Sequence, residues 1–285
     1  MSKELYMKSI VPIFSGGGTR LTVHIGVFDA LQKLDIQFQH MVGVSGGSIV
    51  AALFCCGVPL PKIKRLAMDT DFKKFKGFSL FRLLRQGGLS SGDQFEAWMD
   101  KQLQGLTFAD IEKDLHILAT DVNGGGPVVF SRKTSPDLKI SKAVRFSMSI
   151  PLFFSFQSYK EHVLVDGAIL SEDALYQDWA GDGSPVMCFK LKSDHVTDPN
   201  FKKSWLPLRQ YVMMLIRTFM TAMSREYVHA EYWRNTIIIN TGKLSPVDFN
   251  ITALQKEELY NIGFNTAFEF VPKRMRLYTD TQLRM

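Results

Sequence analysis

Val42-Gly43-Val44-Ser45-Gly46-Gly47-Ser48 sets a serine between a short apolar run and Ser48-Ile49-Val50-Ala51-Ala52-Leu53-Phe54, a segment that suits a buried helix. A serine that attacks a carbonyl has to leave a strand end on a tight bend, and flanking glycines let backbone approach backbone where a Cβ would collide. Gly43, Gly46 and Gly47 supply that clearance, which makes Ser45 a candidate nucleophile and the three glycines its elbow. A helix starting here directs free N–H groups at the same point. Alone, the G-x-S-x-G pattern is weak: with Gly and Ser each at roughly 7% of residues, it recurs by chance about 0.1 times in a chain of this length. Its neighbours have to decide.

Upstream, Ser9-Ile10-Val11-Pro12-Ile13-Phe14 reads as a buried strand, in which Pro12 removes one ladder hydrogen bond and so favours a place near a sheet edge or the strand start. The strand runs into Ser15-Gly16-Gly17-Gly18-Thr19-Arg20 and then the apolar, helix-compatible run from Val23 to Leu31. Glycines between a strand and a helix form a loop whose N–H groups converge on an anion; the plainer alternative is that they only allow close packing. A dinucleotide fingerprint fails because position 21 is Leu21, and Ile36-Gln37 stand where an acidic residue belongs. A P-loop fails because no Gly-Lys-Ser/Thr follows.

Together these residues resemble the patatin-like phospholipase family. The resemblance rests on Gly16-Gly17-Gly18-Thr19-Arg20, on His24-Ile25-Gly26-Val27 and Leu31, on Gly43-Val44-Ser45-Gly46-Gly47-Ser48, and on Asp166-Gly167-Ala168, which matches the family's catalytic Asp-Gly-Gly/Ala element. It extends over Ala143 to Pro151, Val247 to Asn250 and Glu258 to Gly263, and so over most of the chain. It departs at Leu21, where the family usually has glycine, and at Ile169-Leu170-Ser171-Glu172, which lacks the Asn that often follows the aspartate element. The resemblance implies a three-layer α/β/α sandwich and hydrolysis of an acyl ester of phospholipid or another lipid. Ser45 attacks the carbonyl, Asp166 takes its proton, backbone N–H groups of Gly16, Gly17, Gly18 and Thr19 hold the oxyanion, and Arg20 adds positive charge nearby. That chemistry requires no metal and no organic cofactor.

The order of elements predicts the same α/β class, since strands alternating with helices give a mostly parallel central sheet covered on both faces. Composition agrees: 285 residues, 46% hydrophobic and 22% charged, suit one domain, with a core over about residues 8–272 and a frayed basic tail over 273–285. Cys55, Cys56 and Cys188 form neither a disulfide framework nor a metal-ligand spacing, which predicts a reducing, cytoplasmic setting. No run approaches the ~18 apolar residues of a membrane span.

The formal charge of +6 favours anionic partners. Between Pro59 and Gly92, Lys73, Lys74, Lys76, Arg82 and Arg85 interleave with Phe72, Phe75, Phe78 and Phe81. This suits peripheral contact with an anionic membrane, and equally an amphipathic helix with a solvated basic face. Nucleic acid is not expected, because no recognised binding motif accompanies the charge.

Leu115 to Thr120 reads as a strand, Asp121 to Pro127 as a turn and Val128 to Ser131 as the return strand, so that Asp121 serves the turn rather than catalysis. Ile140 to Ser149 reads as a helix stopped before Pro151, followed by Phe153, Phe154 and Phe156, which are expected to line an acyl pocket. Glu161 to Gly167 is an apolar strand ending in Asp166; Val186 to Leu191 and Asn235 to Asn240 are further strands. Leu206 to Ala230 has the period of a long amphipathic helix whose methionines suit core or a subunit interface, which keeps a homo-oligomer open. Lys256 to Phe270 is a final helix, ended by Pro272.

Two rivals remain. A Ser-His-Asp α/β-hydrolase needs several strands before its elbow, whereas Ser45 has one, and the histidines after Asp166, His195 and His229, lie in a polar turn-like segment and near the end of a helix. His24 falls one turn into the first helix, where it packs, caps or supports the glycine loop. A lipid-binding or signalling module with no turnover is the other rival.

Overall fold

The sheet is legible as alternation. Val11, Ile13, Val42, Val44, Leu118, Val186 and Cys188 face one side, while Ile10, Phe14, Met41, Leu115, Ile117, Met187 and Phe189 face the other. Both faces are therefore buried, as a mainly parallel sheet requires. The computed structural model describes residues 9–194, 207–223 and 230–282. In chain order its elements are β1 (Val11–Ser15), α1 (Thr22–Lys33), β2 (His40–Val44), α2 (Gly46–Cys55), α3 (Leu60–Asp69), α4 (Leu80–Gln86), β3 (Gly88–Ser90), α5 (Asp93–Leu103), β4 (Asp114–Asp121), β5 (Gly126–Phe130), α6 (Ile140–Ser147), β6 (Leu152–Phe154), β7 (Gln157–Tyr159), β8 (His162–Val165), α7 (Glu172–Leu175), β9 (Val186–Lys192), α8 (Pro207–Met223), β10 (Thr236–Asn240) and α9 (Ala253–Gln282).

The main sheet runs β10-β9-β1-β2-β4-β8-β7 with β5 also on β4. Strands β10, β9, β1, β2 and β4 are parallel; β5, β8 and β7 are antiparallel. The helical layers are unequal. Helices α1, α2, α3, α5, α6 and α9 contribute to the larger core, while the other face is covered chiefly by Leu175 and Trp179, in and just after α7. Among the described residues no helix is long and apolar enough to cross a membrane.

The strand edges decide where the site forms. β5 occupies one edge of β4 from Ile117 to Asp121, so β2, paired over Asp114 to Leu118, and β8, paired at Thr120 and Asp121, share the other edge end to end. Their carboxyl ends face each other. Ser45 leaves one and Asp166 leaves the other.

Two expectations are corrected. Pro12 lies in a central strand, not at an edge. Ile10 N–H donates to Gln37 toward β2 and Val11 N–H to Pro185 toward β9, so by alternation the N–H that Pro12 lacks falls on the β2 side, where pairing begins only at Ile13 with Val42. The strand-start alternative accounts for it. Pro272 does not end α9, which continues to Gln282 and replaces the expected tail. An internal proline costs about 3 kcal/mol, but the stripe Leu259, Gly263, Ala267, Val271 and Met275 stays packed across it, with Leu259 and Val271 fully buried. Tyr278 then donates to the Val186 carbonyl at 3.2 Å.

Candidate active site

Ser45 sits between β2 and α2 at φ 52° and ψ −130°, a conformation that non-glycine residues rarely hold and that costs on the order of 1–3 kcal/mol. What holds it is close backbone packing. A Cβ on Gly47 would lie 2.1 Å from the Phe14 carbonyl oxygen, and one on Gly43 would lie 2.6 Å from the Ser48 Cα. Ser147 Oγ accepts from Ser45 N–H at 2.8 Å and donates to the Leu118 carbonyl at 2.6 Å, so α6 and β4 clamp the elbow.

Ser45 Oγ donates to Asp166 Oδ2 at 2.7 Å across 121 residues of sequence. The other Asp166 oxygen accepts from Ala168 N–H at 2.9 Å. Both side chains are buried, and burial raises the Asp166 carboxyl from its usual value to about 6, with the Ala168 and Ser45 hydrogen bonds pulling the other way. At neutral pH the carboxylate is the main form, held in a dry place beside a hydroxyl.

Gly16, Gly17 and Gly18 all take positive φ, 75°, 120° and 54°. The Gly16 carbonyl accepts from Gly47 N–H at 2.9 Å and from His24 Nε2 at 3.0 Å, and the Gly17 carbonyl from Arg20 Nε at 3.3 Å. In a trans peptide the N–H opposes the carbonyl, so these bonds turn the N–H groups of Gly17 and Gly18 the other way. Among the described residues nothing accepts from those two N–H groups or from Gly46 N–H. Backbone contact links them: a Cβ on Gly46 would fall 2.5 Å from the Gly18 nitrogen.

The expected donor set is therefore revised. Gly16 N–H is spent on the Val44 carbonyl at 3.1 Å and Thr19 N–H on the Pro246 carbonyl at 2.9 Å, while Gly46, expected only to give clearance, carries an N–H with no partner among the described residues. Arg20, expected to add positive charge near the oxyanion, also ties the glycine loop down. It is buried, donates to Thr241 Oγ1 at 2.7 Å and to the Leu244 carbonyl at 3.4 Å, and fastens the loop to the segment after β10. Burial lowers it to about 10, which leaves it cationic at neutral pH. His24 packs on Phe14 at 5.2 Å and supports the loop, and burial holds it at about 4, so it is neutral. Asp121 pairs with His162 at 2.8 Å and accepts from Asn123 and Val163 N–H groups; these bonds, His162 first, hold it down to about 2 and fix the β5 turn. His195 and His229 lie outside the described residues.

An apolar pocket opens beside Gly18 and Thr19, lined among others by Leu21, Ile49, Phe75, Phe95, Trp98 and Met148. Met148 Sδ lies 3.8 Å from Ser45 Oγ. Of the three phenylalanines expected in such a pocket, Phe154 lines it, Phe153 stacks behind on Phe249 at 4.7 Å, and Phe156 is exposed. Leu21, at the family's glycine position, lines the pocket. The Pro59–Gly92 stretch is broken into α3, a 3-10 turn over Phe72–Phe75, α4 and β3. Phe72 and Phe75 turn inward to the pocket, while Phe81 and Leu84 are 70% and 87% exposed.

Sequence reading passed over Ser147 and Arg145 as site supports. Buried Arg145 ties α6 to Ser149 Oγ at 2.6 Å and to the Ser91 and Ser155 carbonyls at 2.5 and 2.9 Å. The signal was present as polar residues, Arg145, Ser147 and Ser149, inside the otherwise apolar run from Ala143 to Pro151.

Comparison with known proteins follows this geometry. The family model described as patatin-like phospholipase matches residues 13–177, more than half of the chain. An uncharacterized protein of Bacillus subtilis, YqhO, is 26% identical over 275 residues, covering 88% of this chain and 94% of its own. A protein of Invertebrate iridescent virus 6 named a probable lipid hydrolase is 24% identical, covering 59% of this chain and 61% of its own. Among solved structures, VipD from Legionella pneumophila superposes with a TM-score of 0.65 at 17% identity, over 94% of this chain and 68% of VipD. That likeness shows the shared fold.

Proposed function

The chain belongs to the patatin-like phospholipase family, and from that premise we propose that it is a lipid acyl hydrolase of phospholipase A type working through a Ser45–Asp166 dyad. The observation that carries the reading is the 2.7 Å hydrogen bond from Ser45 Oγ to Asp166 Oδ2 in a buried site. As Ser45 Oγ attacks the ester carbonyl carbon, its proton passes to Asp166 Oδ2. The carbonyl oxygen becomes an oxyanion facing the N–H groups of Gly17, Gly18 and Gly46. Collapse expels the alcohol, which takes the proton from Asp166, and leaves an acyl-serine. Water, deprotonated by the same carboxylate, then releases the fatty acid. Each well-aimed oxyanion donor is worth about 3 kcal/mol in the transition state.

The acyl chain enters at the apolar pocket beside Gly18, whose free volume of about 30 Å3 has to widen to take it, and the exposed face of α4, with Phe81, Leu84, Arg82 and Arg85, meets an anionic bilayer as a peripheral contact. The iridescent-virus relative's name, probable lipid hydrolase, belongs to the same class of chemistry. A fluorophosphonate probe tests the reading: it labels Ser45 in the native protein and not in Ser45→Ala, and mass spectrometry of a phospholipid extract shows free fatty acid and lysolipid appearing with the native protein alone. A folded protein that neither takes the probe nor releases fatty acid is the binding module without turnover.

A further inference from the structure

A second cavity, about 240 Å3, adjoins the glycine loop at Gly16 and Gly17, whereas the acyl pocket adjoins it at Gly18 and Thr19. Its wall includes Gly16, Gly17, Ser15, Ser171, Glu172 and Lys190. Its place follows from the topology. Lys190 pairs in register with Ser15, the last residue of β1, so the side chain stands where β9 and β1 end. This is also where strand order reverses, since the chain goes from β1 to β2 on one side and returns through β9 and β10 on the other. Crevices outside the carboxyl ends of strands at such a point are where open α/β sheets take ligands. Ser45 follows β2, the strand on the other side of β1, two strand spacings or about 10 Å away.

The two cavities differ in chemistry. The acyl pocket is apolar, whereas this one carries an ammonium and a carboxylate: Lys190 Nζ donates to Glu172 Oε1 at 3.2 Å, with the Lys190 side chain mostly buried and that of Glu172 one third exposed. Lys190 is the charged residue inside the apolar run Val186-Met187-Cys188-Phe189-Lys190-Leu191. An ammonium set in a sheet core needs a carboxylate to offset its desolvation. That explains the pair but not the space beside it. The volume falls below the ~300–1,000 Å3 of whole drug-sized sites, so it suits a head group rather than a lipid. With the acyl chain of a lipid ester taken up beside Gly18 and Thr19, the cavity at Gly16 and Gly17 is left for its alcohol side.

We propose that this cavity is the leaving-group subsite, and that Lys190 and Glu172 select a zwitterionic head group, with Lys190 facing the phosphate and Glu172 the terminal ammonium. The inference rests on the acyl-hydrolase reading above. The two side chains are specificity determinants and take no part in the bond changes at Ser45.

The test uses the full chain on mixed vesicles of phosphatidylethanolamine and phosphatidylglycerol, with lysolipids quantified by mass spectrometry, and p-nitrophenyl butyrate as a substrate without a head group. Glu172→Gln removes the carboxylate that would face the terminal ammonium and moves the ethanolamine-to-glycerol product ratio down about tenfold, the scale of one charge-assisted hydrogen bond. Lys190→Met removes the ammonium that would face the phosphate, slows both lipids and moves the ratio the other way. Both variants hydrolyse p-nitrophenyl butyrate within about twofold of native, well under one such bond. If either variant keeps the native ratio while hydrolysing p-nitrophenyl butyrate normally, the pair only ties α7 to β9 and the proposal is overturned. If Lys190→Met does not fold, the ratio for the near-isosteric Glu172→Gln decides alone. Failure of the native protein to cleave either ester overturns instead the hydrolase reading beneath it.

Discussion

The two glycine turns after β1 and β2 and the stretch from Pro59 to Gly92 both border the same pocket, yet they are built on opposite terms. The turns are fixed by backbone approach so close that a single Cβ does not fit: 2.0 Å between a Cβ on Gly18 and the Pro246 oxygen, 2.5 Å between one on Gly46 and the Gly18 nitrogen. The stretch is held by side chains that divide between inside and outside, with Phe72 and Phe75 buried and Phe81 and Leu84 in solvent. Chemistry at a carbonyl needs donors held to a fraction of an ångström, which backbone provides. Meeting a fluid lipid surface needs exposed apolar area and charge, which need no fixed register.

The largest effects belong to the turns. Ser45→Ala removes the attacking oxygen from a position whose φ alanine tolerates as serine does, and Asp166→Asn removes the base. Each is expected to cost on the order of 10^4-fold or more in kcat/KM on an ester substrate. His195→Ala and His229→Ala are expected to cost less than about tenfold, or about 1.4 kcal/mol. A histidine variant that folds and loses as much as Asp166→Asn replaces the dyad with a triad.

Gly18→Ala comes next. The added methyl meets a backbone oxygen, so either the glycine loop or the Pro246 segment moves, and activity is expected to fall by about 100-fold, the scale of one misplaced oxyanion donor. Gly181→Ala is the control, because its φ of 74° is equally unfavourable but nothing lies within 4 Å. It carries only the backbone penalty of about 1–2 kcal/mol, measured by thermal denaturation, and leaves activity unchanged. Equal losses of activity for the two substitutions would remove the distinction between a crowded catalytic turn and an ordinary one.

How much of this was legible follows the same division. Glycine writes backbone approach directly into sequence, so the loop at Gly16 to Gly18 and the turn around Ser45 were readable, as were the strand candidates at β1, β4, β9 and β10. Which N–H groups are spent was not readable: the partners of Gly16 and Thr19 are the carbonyls of Val44 and Pro246, and the second is brought in from 227 residues away. Nor was the meeting of β2 and β8 on one edge of β4, since that depends on β5 taking the other. A local signal also lost to packing at Pro272, whose missing N–H falls in a helix whose apolar stripe runs past the proline, whereas Pro12 keeps to the strand start that its missing N–H allows.

The pH dependence sharpens the comparison further. With Asp166 near 6, kcat/KM is expected to fall about tenfold per pH unit below that value and to level off above it, since the base acts only when deprotonated. Stability moves the opposite way. The folded-state value is raised from 3.8, so the contribution of Asp166 to folding is fully present below 3.8 and lost as pH rises through about 6. Asp166→Asn is therefore expected to be more stable than native at pH 8, by on the order of 3 kcal/mol, with the gap closing below about pH 4. Chemical denaturation of the two proteins at both pH values measures this. A native protein more stable than the variant at pH 8 would mean that the carboxylate is well solvated, and the dry site would be wrong.

The smallest effect is expected on the Pro59–Gly92 side, and only on vesicles. Phe81 and Leu84 project from α4, a helix with no buried residue, and Arg82 and Arg85 lie on the same seven-residue turn. Removing two exposed apolar side chains leaves nothing unpacked, so Phe81→Ser with Leu84→Ser should melt within about 0.5 kcal/mol of native. Burying such side chains in a bilayer interface is worth roughly 1 kcal/mol or more each, which predicts about tenfold or greater weakening of vesicle binding by co-sedimentation. The Lys73, Lys74 and Lys76 to Gln variant tests the electrostatic half. Each lysine near an anionic surface contributes roughly 1 kcal/mol, screened within ~10 Å at 0.1 M salt. Lys74 Nζ lies 4.9 Å from the centroid of the Phe75 ring and 5.4 Å from that of Trp98, so part of its charge is already engaged, and the triple variant should lose less than three independent lysines would. Its binding should also respond less to salt than that of the native chain. Hydrolysis of p-nitrophenyl butyrate should be unchanged in both variants, because neither touches the turns. If vesicle binding is unchanged at low salt, the basic face is only solvated, and the contrast between a built site and a docking surface reduces to a site with an ordinary exterior.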